Sequence, residues 1–161
     1  MTNRYAAERG MPSVPMCGRS TITLRFDGRV LTVSGGLTRV YPGVSGQPDA
    51  NGRFDYSAER QQKSNGGPIP AGNYWVQPSQ VWTNHWYNVT PRDGWGDHRL
   101  TIHVLPGTQT YGRGGFFIHG GTHPGSAGCI NLHAGMEKFL EEIESALADS
   151  PDCFIPLTVQ Y

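Results

Sequence analysis

The stretch from His119 to Asn131, His-Gly-Gly-Thr-His-Pro-Gly-Ser-Ala-Gly-Cys-Ile-Asn, carries the side chains best suited to breaking a bond. Cys129 is a thiol among small neighbours, so a substrate can come close to its sulfur. His119 closes the apolar run Gly115-Phe116-Phe117-Ile118, and a strand end is a rigid mount for a base. A histidine within reach of a thiol stabilises the thiolate and later protonates a leaving amine. Ser126, Ala127, Gly128 and Cys129 can turn successive backbone N–H groups into one concavity, which suits an oxyanion hole. These residue types point to attack by Cys129 on an amide or peptide carbonyl, with His119 as its base.

Two other readings compete for the same residues. A lone cysteine or histidine is most often a packed core residue, but a loop this polar and glycine-rich does not make a core. His119, His123, Cys129 and His133 have a spacing that superficially resembles a zinc site. They fall across a Gly/Pro loop rather than on one helix face, and no cysteine pair anchors them. No metal and no cofactor is therefore expected.

The surrounding elements must hold this loop. Thr21 to Phe26 alternates, Asp27-Gly28 turns, and Val30 to Val33 follows, which predicts a hairpin. Leu37 to Tyr41 is a further strand candidate. Residues 42–72 hold few aliphatics and read as a long connection, the kind that tends to serve as a lid or binding loop. Asn73 to Val76, Val81 to Val89, Leu100 to Leu105 and Phe154 to Tyr161 all read as strand. Met136, Phe139, Leu140, Ile143 and Leu147 recur at helical spacing, with glutamates on the other face. Residues 1–18 have no period and read as an irregular arm before a single domain over 19–161.

Composition narrows the partners. Thirteen basic and thirteen acidic residues cancel in the 161-residue chain. A neutral balance without a Lys/Arg block argues against nucleic acid, and no apolar run is long enough to span a bilayer. With 22 glycines, 12 prolines and recurrent aromatics, a turn-rich, mainly β domain is expected. Met1 to Gly10 carries two arginines and no hydrophobic stretch, so no Sec signal is visible. Of the three cysteines, Cys17 and Cys153 lie near opposite ends of the chain, where a disulfide between them would leave Cys129 as the thiol.

Gly-Phe-Phe-Ile-His119-Gly-Gly followed by Gly125-Ser126-Ala127-Gly128-Cys129-Ile130-Asn131 resembles the active-site signature of L,D-transpeptidases of the YkuD type. It is most similar to the type VI secretion L,D-transpeptidase effector family. Gly67 to Tyr74, Trp95-Gly96 and Tyr111 to Phe116 fit the same pattern, so the resemblance covers about residues 30–145. It implies a mainly antiparallel β-sandwich or partly closed barrel with one principal helix near 134–148. It implies Cys129 as nucleophile, His119 as base, oxyanion N–H groups at Gly128 and Cys129, and a pocket shaped by Ser126 and Ala127. Arg113 is then the candidate for a substrate carboxylate, which a guanidinium holds bidentately. Gly120 and Asn131 join it as substrate-binding candidates, and Trp95, Tyr74 and Trp86 as walls of a cleft or as core. The implied substrate is a peptidoglycan stem tetrapeptide, processed by L,D-carboxypeptidase or L,D-transpeptidase chemistry, including D-amino-acid exchange. The implied setting is an antibacterial effector made in the cytoplasm, delivered by a type VI system to a rival's periplasm, with a cognate immunity protein and a secretion-system partner. Two departures stand out: the loop to Cys129 is short, and Ala127 replaces the histidine usual before Gly-Cys. Two alternatives remain, a papain- or NlpC/P60-like cysteine peptidase, which places its cysteine before its histidine, and a non-catalytic wall-binding module.

Overall fold

Side-chain alternation builds the first hairpin of the computed structural model, which describes residues 4–36, 38–83, 98–121, 127–148 and 153–161. Strands β1 (Thr23–Phe26) and β2 (Val30–Ser34) pair antiparallel, turning Leu24, Phe26, Leu31 and Val33 inward. The Asp27 carboxylate accepts the Arg29 and Val30 N–H groups at 2.9 Å, which fixes the turn. Next come β3 (Arg39–Pro42) and β4 (Val44–Ser45). Then β5 (Gly72–Thr83) pairs with β6 (His98–Val104), with an irregularity between Val76 and Val81. The remaining strands are β7 (Phe117–His119), β8 (Ile130–Asn131) and β9 (Ile155–Val159).

One nine-stranded sheet results, in the order β3-β2-β1-β9-β5-β6-β7-β8-β4. Most pairs are antiparallel; β1–β9 and β7–β8 are parallel. The two edge strands β3 and β4 are separated in sequence by Gly43 alone, so the sheet must curl until its edges nearly meet. This is the mainly β, partly closed barrel that the sequence led us to expect.

The expected helix is also present. After a 3-10 turn over His133–Gly135 it runs Met136–Ala146, and Met136, Phe139, Leu140 and Ile143 face the core. With the short helices α1 (Arg4–Glu8) and α2 (Ala58–Gln61) it is α3. Phe139 is fully buried and meets Tyr41 edge-to-face at 5.6 Å, which ties α3 to β3. Residues 42–72 are less bare than expected, since they hold β4 and α2. Leu37 and residues 84–89 of the expected strands lie outside the described residues.

The arm over 1–18 is not irregular throughout. Within it α1 buries Ala6 and Ala7, and Ser13 N–H donates to the Val104 carbonyl at 2.8 Å. It covers the outer face of β5 and β6, where Trp75 stacks on His103 with centroids 4.1 Å apart. The Trp75 indole N–H donates to Ser13 O. At the far end, Phe154 N–H donates to Gly18 O, which brings the segments carrying Cys17 and Cys153 together. Both are half-buried thiols.

His103 is fully buried, with Nε2 on Gln80 Oε1 at 2.6 Å and Nδ1 without a partner among the described residues. Burial pushes its imidazole down to about 4. Unfolding frees that ring to take a proton near its usual 6.5, so acid favours the unfolded chain. Stability contributed by neutral His103 is present above about pH 6.5 and is lost as pH falls towards about 4. Melting temperature is expected to drop across this window, and His103→Phe, which keeps the stack, should flatten the drop. An unchanged slope in His103→Phe would assign the acid sensitivity elsewhere.

Candidate active site

Strand register brings the reactive residues together. In β7 and β8, Ile118 pairs with Ile130 and His119 with Asn131. Ile118 and Ile130 point into the core, so their neighbours in sequence point to the opposite face. Cys129, one residue before β8, lies beside Phe117, whose backbone hydrogen-bonds its sulfur. His119 is therefore a diagonal neighbour of Cys129. A strand spacing of about 4.8 Å and a rise of about 3.3 Å per residue put their backbones about 8 Å apart, within reach of a side-chain pair.

The same face continues across β6 and β5. Arg99 pairs with His119, and Trp82 with Arg99, so Trp82, Arg99, His119 and Asn131 form one cross-strand row. Thr101 and Phe117 pair in the next row, and the Trp82 indole N–H donates diagonally to Thr101 Oγ1 at 3.1 Å. The Arg99 guanidinium lies 4.7 Å from the Trp82 ring centre and 4.6 Å from that of Phe117.

Both reactive groups rest neutral. Cys129 is 3% exposed, and burial pushes its thiol up to about 12. The Phe117 backbone bond and the charges of Arg99 and Arg113 pull the other way without offsetting burial. The thiol points at Gly115 O, 3.8 Å away. Burial likewise holds His119 below the usual imidazole value, opposed by its backbone bond to Gly120 and reinforced by the charges of His133 and Arg99. The resting pair is thus thiol and imidazole rather than the thiolate expected from sequence. His119 Nδ1 lies 2.7 Å from Gly120 O, so Nδ1 carries the proton and Nε2 is the basic nitrogen.

Gly128 is needed for its shape. Its φ is +102°, and a Cβ there would lie 2.7 Å from Phe116 Cε1 and 2.9 Å from Arg113 Nη2. Only glycine makes this bend while packing so closely, and the bend delivers Cys129 to the sheet face. Ala127 beside it is exposed.

Three of the substrate-binding candidates are buried and bonded within the fold. Arg113 is 5% exposed, and its guanidinium donates to the carbonyls of Gln61, Pro68 and Gly67 at 2.6, 2.6 and 2.8 Å. It clamps the segment leading into β5 instead of facing solvent. Gly120 is buried, and its carbonyl holds the His119 ring. Asn131 is 2% exposed, and its Oδ1 accepts the His133 N–H at 2.8 Å, which shapes the turn into α3. Tyr74 is core, with its hydroxyl on Pro70 O. Ser126, His123, Trp86 and Trp95 lie outside the described residues.

His133 is exposed at the start of the 3-10 turn, with a left-handed φ of +53°. Among the described residues, no group of three or more metal-ligating side chains converges. No helix among them is long and apolar enough to cross a membrane. Sequence reasoning did not single out Arg99 and Trp82, which share this face. The signal for Arg99 was the outward phase of the strand carrying Leu100 and Ile102, which becomes informative only once β6 is known to lie beside β7.

The Tlde1 domain family matches residues 43–151 of the chain. No curated protein matches it. Among solved structures, Bdellovibrio bacteriovorus Bd1075 is similar at 16% identity and a TM-score of 0.47, over 95% of this chain and 51% of that one. Mycobacterium tuberculosis L,D-transpeptidase 1 is similar at 16% identity and a TM-score of 0.42, over 87% of this chain and 62% of that one. The chain thus spans about half to three-fifths of the length of these two neighbours.

Proposed function

Because this chain belongs to the Tlde1 domain family, type VI effectors of L,D-transpeptidase-like character, we propose that it is a cysteine enzyme acting on peptidoglycan stem tetrapeptides. The observation that carries this reading is the placement of Cys129 and His119 as diagonal neighbours on one face of the parallel pair β7–β8. A thiol and an imidazole so placed can exchange a proton through Nε2 while the sulfur attacks a carbonyl.

The chemistry follows from that placement. As Cys129 Sγ bonds to the carbonyl carbon at the L-centre of the diamino acid, its proton passes to His119 Nε2. The N–H groups of Gly128 and Cys129 are the candidate donors to the oxyanion. Collapse of the intermediate breaks the C–N bond, and His119 returns its proton to the departing D-Ala amine. A thioester remains. Water then releases a tripeptide, or an amine takes the acyl group and restores an amide.

The substrate lies in the periplasm, so delivery by a type VI system and protection by an immunity protein complete the proposal. One experiment tests both chemistry and place, by expressing the chain in the cytosol and fused to a Sec signal. The exported form should swell or lyse cells and shift their muropeptides from tetrapeptides to tripeptides or exchanged stems, while the cytosolic form stays nearly harmless. Equal toxicity of the two forms, or an unchanged muropeptide profile in the exported strain, refutes the wall-directed reading.

A further inference from the structure

Arg99 has no part in the bond-breaking steps above, yet it occupies a commanding position beside them. Its backbone pairs directly with His119, so it stands one strand from the base on the same sheet face. Its head is held between two aromatic rings, Trp82 at 4.7 Å and Phe117 at 4.6 Å. Phe117 lies between Arg99 and Cys129, because its backbone bonds the sulfur. The guanidinium therefore leans from β6 towards the nucleophile. A cation clamped by aromatic faces loses little further freedom when it binds an anion, and a guanidinium matches a carboxylate bidentately. The residue is half-buried, so its surroundings strengthen such a contact while solvent still reaches it.

The pairing of Arg99 with His119 points to one carboxylate in particular. Consecutive Cα atoms are about 3.8 Å apart, so the C-terminal carboxylate of a substrate cleaved at its last peptide bond lies about one residue from the attacked carbonyl. A substrate with its carbonyl at Cys129 and its leaving amine at His119 can carry its last residue across to Arg99, the neighbour of His119 on β6. We propose that Arg99 is the specificity-determining residue that reads the free C-terminal carboxylate of the departing amino acid, and so restricts the enzyme to the last peptide bond. This deepens the proposed function and rests on it.

The test compares a stem tetrapeptide ending in a free carboxylate with the same peptide ending in a carboxamide. Wild-type kcat/KM should favour the acid by about 10- to 100-fold, the range expected for a hydrogen bond to a charged group. Arg99→Gln should lose that factor on the acid over and above any loss on the amide, so the acid-to-amide ratio reads the contact and the melting temperature serves as the control for folding. Arg99→Lys keeps the charge without the fork and should fall between the two. If Arg99→Gln does not fold, the drop in acid preference of Arg99→Lys decides the matter. Equal losses on acid and amide would show that Arg99 acts through the thiol or the fold, and a retained preference would place the receptor elsewhere. Either result overturns the inference while the proposed function stands. Absence of wild-type turnover on both peptides overturns the proposed function, and the inference with it.

Discussion

Cys129→Ala should abolish turnover of stem tetrapeptides while leaving a folded protein, and Cys129→Ser should be nearly as inactive. The side chain is 3% exposed and packs between Phe117 and the Gly115 carbonyl. Losing one buried heavy atom costs about 1 kcal/mol, which lowers the melting point by a few degrees only. A serine hydroxyl at the same place is far harder to deprotonate and a poorer nucleophile. Burial pushes the wild-type thiol up to about 12, so its alkylation rate should climb steadily with pH and show no plateau between pH 6 and 8. A plateau there would mean a preformed thiolate. Wild-type trimming by purified Cys129→Ala would remove the cysteine from the mechanism altogether.

Much of this architecture is legible in the sequence because it rests on local periodicity. The hairpin of β1 and β2, the apolar run of β7 and the 3.6-residue stripe of α3 each follow from the order of their own residues. Cys129 and His119 are candidates for a similar reason, since both stand out within thirteen consecutive residues. What could not be read depends on pairing between distant segments. Arg99 is an ordinary strand residue until β6 is laid against β7. Arg113 sits among glycines and reads as a candidate for a substrate carboxylate, and only the fold brings it to the carbonyls of Gln61, Gly67 and Pro68, over forty residues earlier in the chain. The protonation of the pair was also hidden, because burial by the whole sheet sets it. Residue types alone suggested a thiolate.

His119→Ala should lower kcat/KM by about 10²- to 10⁴-fold, the usual contribution of a positioned acid–base group. The resting thiol makes a base more important here than in a site with a preformed thiolate. With the thiol at about 12, only about one Cys129 in 10⁵ is ionised at pH 7. Removing the proton during attack is therefore the step His119 must assist. Its Nδ1–H is held by Gly120 O, which orients Nε2 for that task. His119→Gln should be as poor as alanine, because an amide can donate and accept hydrogen bonds but cannot take up the proton. Burial lowers the imidazole below its usual 6.5, and only the neutral ring is a base. The acid limb of the wild-type pH–rate profile should accordingly lie below pH 6.5, with activity falling as pH drops through the His119 value. That limb should vanish in the residual activity of His119→Ala. His133 is exposed at a turn and should matter far less when changed to alanine. The same comparison with His123→Ala completes the set, and a larger loss at His123 or His133 than at His119 would transfer the role of base to that residue.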